Sequence, residues 1–108
     1  MDDTINGLYD IILKRKNEPQ EGSYTCYLFE KGIDKILKKV GEECAETIIA
    51  AKNGDSNETV MEICDLFYHT LVLCAQMNIP VEALTEELEK RRLRQGNLKP
   101  VRDTDKDS

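Results

Sequence analysis

Apolar positions recur at helical spacing through most of the 108-residue chain. The first stripe follows the i, i+3, i+4, i+7 spacing of one helical face and predicts a helix over residues 3–16. A break around Pro19 is followed by a short helical segment from Ser23 to Gly32. A second long apolar stripe then predicts a helix over residues 33–52.

The next segment, about residues 57–77, is apolar over most of its circumference, which predicts a central buried helix. Asp55 and Glu58 suit a capping box at its start. Pro80 suits the first turn of a last helix that reaches about Arg94. Because no segment alternates as a strand does, the pattern predicts an all-α fold: a bundle of four main helices plus a short one.

The length of the chain fits one domain, which we assign to residues 1–96. Residues 97–108 are polar and charged, and we expect them to form a disordered tail. A bundle of four helices of this length cannot fully cover its third long helix, which is apolar nearly all round. We therefore expect a homodimer, with the functional site near the interface.

The net charge of −6 argues against nucleic acid as the main partner, since that partner usually requires a basic face. No stretch approaches the roughly 20 apolar residues of a membrane span. The N-terminus lacks the basic and apolar regions of a signal peptide, so we expect no membrane association and a cytoplasmic location.

The four cysteines, Cys26, Cys44, Cys64 and Cys74, include no CxxC pair, so a thiolate zinc site is not expected. Disulfides are typical of secreted chains, and no signal peptide is present. Three of the cysteines lie in helical apolar stretches. We therefore interpret the group as reduced core thiols.

Acidic residues on the two central helices form the main candidate site. Glu43 and Glu46, with Glu42 beside them, lie on the second long helix, and Glu62 and Asp65 lie on the third. Two acids at i, i+3 on each helix can point at a common centre, where like charges repel unless a cation is present. Oxygen ligands favour Mg²⁺, with Mn²⁺ as a second possibility. The alternative interpretation is a solvated charged face.

Other polar residues have two interpretations each. His69 shares a helical face with Glu62 and Asp65, where it serves either as a structural histidine or as a substrate contact. Lys39 lies on the arc of the acids, one turn before Glu43. The last helix ends in a dense group of cations, which either complements the helix dipole or binds phosphate. That group consists of Lys90, Arg91, Arg92 and Arg94.

Together these motifs resemble a known family. The matching segments, in order, are Ser23-Tyr24-Thr25, Lys38-Lys39-Val40-Gly41-Glu42-Glu43 with Glu46, Glu62-x-x-Asp65-Leu66, Tyr68-His69 and Leu71-Val72-Leu73. They are similar to the phosphoribosyl-ATP pyrophosphatase family of histidine biosynthesis. That family belongs to the MazG-like all-α nucleoside triphosphate pyrophosphatases, which share EExxE and ExxD as their Mg²⁺ site.

The resemblance implies hydrolysis of phosphoribosyl-ATP, a small nucleotide, to phosphoribosyl-AMP and pyrophosphate. It implies that Mg²⁺ is held by Glu43, Glu46, Glu62 and Asp65. Glu42 is the candidate catalytic residue that orients or deprotonates the attacking water. The implied substrate-binding residues are Ser23, Tyr24, Thr25, Lys39, His69 and Arg92.

Two other functions stay open at this point. One is a house-cleaning pyrophosphatase of the same superfamily, which acts on noncanonical nucleoside triphosphates through the same metal site. The other is a non-catalytic helical interaction module, in which the acids are a solvated face and the apolar helix is a dimer seam. The module leaves Glu62 and Asp65, on an otherwise apolar helix, without an explanation.

Overall fold

A computed structural model describes residues 3–96 of the chain, and these residues form five helices. The helices are α1 (Asp3–Asn17), α2 (Tyr24–Lys31), α3 (Ile33–Lys52), α4 (Ser56–Gln76) and α5 (Val81–Gly96). The predicted all-α fold of four main helices and a short one is confirmed, with bounds that differ by up to two residues. The predicted tail, residues 97–108, lies outside the described residues.

Local signals at the helix ends explain why the chain turns where it does. Ser23 caps α2, because its hydroxyl oxygen accepts a hydrogen bond from the Cys26 amide at 3.2 Å. Gly32 joins α2 directly to α3 with a φ of +90°, a conformation that favours glycine. Asp55 caps α4 by accepting from the Glu58 amide at 3.0 Å.

The hydrophobic core lies where α1, α2, α3 and the second half of α4 meet. Its largest fully buried side chains are Ile12, Leu28, Ile36 and Val72. The Tyr9 hydroxyl donates to the Ile79 carbonyl and ties α1 to the connection that follows α4. The core therefore holds the C-terminal half of α4 firmly, while the N-terminal half of α4 packs mainly along α3.

The predicted central burial of α4 is wrong for its first half within a single chain. The buried residues of α4 begin at His69, whereas Val60, Met61 and Phe67 are exposed. The predicted apolar stripe of α3 is also largely exposed, with Ile48 at 64 %. Periodicity detects an apolar face, but burial also requires a neighbouring helix, and α1 and α2 cover only the other end.

The interpretation of the cysteines as core thiols is wrong for two of them in the single chain. Cys74 is buried and Cys26 is half-buried, but Cys44 and Cys64 are exposed. These two lie on the exposed parts of α3 and α4. Their exposure has the same cause as that of the apolar residues around them.

The last helix, α5, is polar and carries its own ion pairs. Arg91 donates to Glu87 at 3.1 Å, one turn earlier.

Among residues 3–96, no single helix is long and apolar enough to cross a membrane. Only α4 and α5 taken together, at a bend of 118°, meet that criterion of length and composition.

Ile36 provides a test of this core. It is 0 % exposed, so Ile36→Ala should lower the free energy of unfolding by about 2–5 kcal/mol, through lost burial and the cavity left behind. Ile36→Val removes one methylene and should cost about 0.5–1.5 kcal/mol. Denaturant unfolding measures both values, and equal effects of the two variants would contradict this description of the core.

Candidate functional site

Three carboxylates from two helices meet where α3 packs along α4. Glu43 of α3 is buried at 5 % exposure, Glu62 of α4 is half-buried and Asp65 is exposed at the rim. One oxygen of each carboxylate lies within 4.8 Å of an oxygen of the other two. The structure thus brings together three of the four predicted metal ligands.

Two oxygens in this cluster have no hydrogen-bond partner among residues 3–96. Glu43 Oε2 and Glu62 Oε2 are both buried without a donor. Ionised carboxylates only accept hydrogen bonds, so they cannot satisfy one another. A buried acceptor without a partner is unfavourable, and either a proton or a cation removes the penalty. A set of carboxylate oxygens is the ligand type that Mg²⁺ and Mn²⁺ prefer, so the residues present fit such an ion.

The electrostatics of the cluster agree with this geometry. The carboxyl of Glu46, within hydrogen-bonding reach, raises the pKa of Glu62 to about 8, and burial, Glu58 and Glu43 add to the rise. Burial, followed by the neighbouring Glu46, raises the pKa of Glu43 above its usual range. Glu46 itself is exposed and lines a hollow of about 220 Å³ together with Glu58 and Glu62. Glu46, the fourth predicted ligand, therefore borders the cluster.

Lys39 lies between two acids of its own helix. Its Nζ is 3.2 Å from Glu42 Oε2 and 3.7 Å from Glu43 Oε1. The hydrogen bond from Lys39 holds the pKa of Glu42 below its usual range. Glu42 is thus ionised and turned toward Lys39, at the edge of the cluster.

His69 is buried, and both of its ring nitrogens have protein partners. Nδ1 lies 2.7 Å from the Asp65 carbonyl oxygen, and Nε2 lies 3.0 Å from the Tyr24 hydroxyl. A carbonyl only accepts, so Nδ1 carries the proton and Nε2 accepts from Tyr24. This geometry favours the structural interpretation of His69, which connects α2 to the turn of α4 that holds Asp65.

The other two residues of the Ser-Tyr-Thr segment also contact the protein itself. The Ser23 hydroxyl caps α2, as described above. The Thr25 hydroxyl and the Tyr68 hydroxyl are hydrogen-bonded to each other. Tyr24 stacks near Tyr68, with ring centroids 6.3 Å apart, and is 46 % exposed. Tyr24 is therefore the residue of this segment whose side chain is most available to a ligand.

Comparison with known proteins identifies the family. The phosphoribosyl-ATP pyrophosphohydrolase family model matches residues 5–92. A phosphoribosyl-ATP pyrophosphatase of Clostridium botulinum (strain Hall) is 58% identical over 100 residues, which is 93% of this chain and 91% of the relative. One from Listeria monocytogenes (strain EGD-e) is 57% identical over 99 residues, or 92% of each chain. The chain belongs to the phosphoribosyl-ATP pyrophosphohydrolase family. The resemblance read from the sequence motifs is confirmed.

Arg92 lies inside the segment that matches the family but has a partner on its own helix. Its Nε donates to Glu89 at 3.0 Å, and its side chain is 70% exposed. The ion pair satisfies the guanidinium without a ligand. A role for Arg92 in substrate binding stays a prediction.

Two residues that contact the carboxylate cluster or the residues around it were not among the predicted site residues. Glu58 lies one turn before Glu62 and adds to the rise in its pKa, whereas the sequence suggested a capping role and a shared helical face with Glu62, but no role in the site. Tyr68 holds Thr25 and packs edge-on against His69, with centroids 4.9 Å apart. Helical spacing from Glu62 could have indicated Glu58. The contact of Tyr68 with α2 spans more than 40 residues and has no local signal.

The raised pKa of Glu62 predicts how pH affects the metal-free protein. The pKa is 4.5 in the unfolded chain and about 8 in the folded one, so the folded state binds more protons between these values. The contribution of Glu62 to stability is therefore fully present below pH 4.5 and is lost as pH rises through about 8. In the presence of a chelator, the melting temperature should fall as the pH rises from 4.5 to about 8.

Glu62→Gln removes this titration and should flatten the pH dependence, with a higher melting temperature than wild type at the alkaline end. Glu18→Gln, at an exposed position next to Pro19, makes the same charge change and should keep the wild-type slope. If both variants show the same pH dependence of the melting temperature as wild type, Glu62 does not share a proton with its neighbours.

Proposed function

We propose that this protein hydrolyses phosphoribosyl-ATP to phosphoribosyl-AMP and pyrophosphate, the second step of histidine biosynthesis. The observation that carries the proposal is the carboxylate cluster of Glu43, Glu62 and Asp65. Two of its oxygens are buried without a donor, in a chain that belongs to a pyrophosphohydrolase family. A solvated acidic face would leave those oxygens in water, so the interaction-module alternative does not explain them.

Mg²⁺ is the proposed cofactor, with Mn²⁺ as a substitute, and Glu43, Glu46, Glu62 and Asp65 would hold it. When bound, the ion supplies neutralisation of phosphate charge and a more acidic water molecule. The raised pKa of Glu43 and of Glu62 supports this assignment, because a bound cation relieves the same burial and carboxylate repulsion that raise it. The exposure of Asp65 and Glu46 leaves the cluster open to a nucleotide on one side.

The remaining site residues have proposed roles that follow from their contacts. Glu42 is ionised and half-buried at the edge of the cluster, where it can orient the attacking water. Because its pKa is lowered, Glu42 is better suited to accepting a hydrogen bond from water than to removing a proton completely. Lys39, beside Glu42 and Glu43, is placed to bind the phosphates next to the bond that breaks. Tyr24 offers an exposed ring to the nucleotide.

We also propose that the protein is a cytoplasmic homodimer. Exposed apolar side chains lie on both sides of the turn between α3 and α4: Ile48, Ile49, Val60, Met61 and Phe67. A monomer rarely exposes so many neighbouring apolar residues. Ile49 also lines the hollow at Glu46 and Glu62, so a second chain on this surface would lie against the site.

The activity is tested directly with purified protein, phosphoribosyl-ATP and Mg²⁺, with pyrophosphate and phosphoribosyl-AMP measured together. Wild type should release both products, and a chelator should abolish the release. Asp65→Asn should lower kcat by about a hundredfold or more, since it removes one anionic ligand and keeps the shape. Asp10→Asn, an exposed aspartate of α1, is the matched control and should retain wild-type turnover.

The pattern of substrates separates the alternatives. Faster release of pyrophosphate from noncanonical nucleoside triphosphates than from phosphoribosyl-ATP would support the house-cleaning enzyme. An interaction module would release no pyrophosphate from any of them. Full turnover by Asp65→Asn at saturating Mg²⁺ would show that the cluster is assigned wrongly.

The homodimer predicts a mass of twice one chain in light scattering at micromolar concentration. The double variant Ile48→Glu, Met61→Glu places two charges on the proposed interface and should reduce the mass to that of one chain. Ile11→Glu changes a similarly exposed isoleucine on α1 and should leave the dimer intact. A wild-type protein with the mass of a single chain would contradict the proposal.

A further inference from the structure

Two lysines and a tyrosine form a second cluster, to which the proposed carboxylate chemistry assigns no role. Lys31 Nζ lies 5.8 Å and Lys35 Nζ 5.9 Å from the centroid of the Tyr27 ring, both within the range of a cation–π contact. Tyr27 and Lys31 belong to α2, and Lys35 belongs to α3. The direct connection through Gly32 brings the end of one helix against the start of the other.

Neither ammonium group in this lysine–tyrosine cluster is neutralised. The ion pairs formed within residues 3–96 involve Lys39 and the arginines of α5, so no described carboxylate lies within 4.0 Å of Lys31 or Lys35. Two cations that share one ring repel each other. An anion bound between them would convert this repulsion into attraction.

The helix dipoles explain only one of the two lysines. Lys31 lies in the last turn of α2, where a positive charge is favourable. Lys35 lies in the first turn of α3, where a positive charge opposes the dipole. The position of Lys35 therefore favours a function over a purely structural role.

The cluster is continuous with the carboxylate site. Tyr24 stacks against Tyr27 with ring centroids 6.1 Å apart, and Lys35 precedes Lys39 by one helical turn. The charges of Lys39 and Lys35 both act on the Tyr24 hydroxyl. Lys39 and Lys35 precede Glu43 on α3 by one and two turns, so Lys35 lies about 12 Å along the helix from the buried carboxylate.

We propose that Lys31 and Lys35 bind the phosphate of the phosphoribosyl end of the substrate, the end that is not cleaved. This inference rests on the proposed hydrolysis of phosphoribosyl-ATP. An ordinary nucleoside triphosphate lacks that phosphate, so the pair determines specificity, while the carboxylates and Lys39 act on the triphosphate. An ammonium group binds a phosphate through charge-assisted hydrogen bonds, and the ring of Tyr27 keeps both ammonium groups on one side of the site.

The test compares wild type with Lys31→Gln, Lys35→Gln and the double variant. For phosphoribosyl-ATP, the double variant should raise KM by about tenfold or more, while kcat stays within about twofold, because charge-assisted contacts are lost away from the reacting phosphates. Affinity for Mg²⁺ should match wild type, and the melting temperature should fall only slightly, through the lost dipole and cation–π contacts. Lys14→Gln, at an exposed position of α1, makes the same charge change as either single variant and should leave KM unchanged.

Product inhibition locates the contact. Phosphoribosyl-AMP carries the phosphoribosyl end, so its inhibition constant should rise by about tenfold in the double variant. Pyrophosphate lacks that end, and its inhibition constant should stay the same. A KM within twofold of wild type in the double variant would overturn the inference, as would equal weakening of both products. Wild-type protein without any turnover would instead refute the proposed function itself.

Discussion

The mutual repulsion of carboxylates between α3 and α4 is the constraint on which the site depends. Glu43 and Glu62 each bury an oxygen that no donor in the described part of the chain satisfies, and a carboxylate oxygen of Asp65 lies within 4.8 Å of both side chains. Packing of α1 and α2 at the other end of α4 supplies stability that the contact between the carboxylates does not. The fold can therefore hold like charges together, and a proton or a cation is needed to make the arrangement favourable.

Residues that contact distant parts of the chain keep this cluster in place. His69 donates to the Asp65 carbonyl and accepts from Tyr24, so one imidazole fixes both the helix turn that holds Asp65 and an aromatic residue of α2. Thr25 and Tyr68 form a second connection between the same two helices. The short helix α2 is thus held against α4 by polar contacts, in a position where Tyr24 is exposed beside the acids.

Sequence spacing predicted the helices and the acidic pairs because both depend on local geometry. The i, i+3 relations within α3 and within α4 put each pair of acids on one helical face whatever the rest of the chain does. Burial was predicted poorly, as Cys44, Ile48 and Phe67 show, because it depends on which helix or second chain covers a face. The contacts of Thr25 and His69 also escaped prediction, since their partners lie more than 40 residues away or on the backbone.

The order of charges along α3 gives the proposed substrate only one favourable direction. Lys35, Lys39 and Glu43 follow one another at intervals of one turn, so the surface changes from cationic to anionic along the helix. A phosphate with no metal ion is attracted to the lysine end and repelled by the acids. A triphosphate that carries Mg²⁺ meets the carboxylates favourably, because the ion reverses the sign of the interaction. Under the proposed assignments, this asymmetry directs the metal-bound triphosphate to the acids and the far phosphate to Lys31 and Lys35.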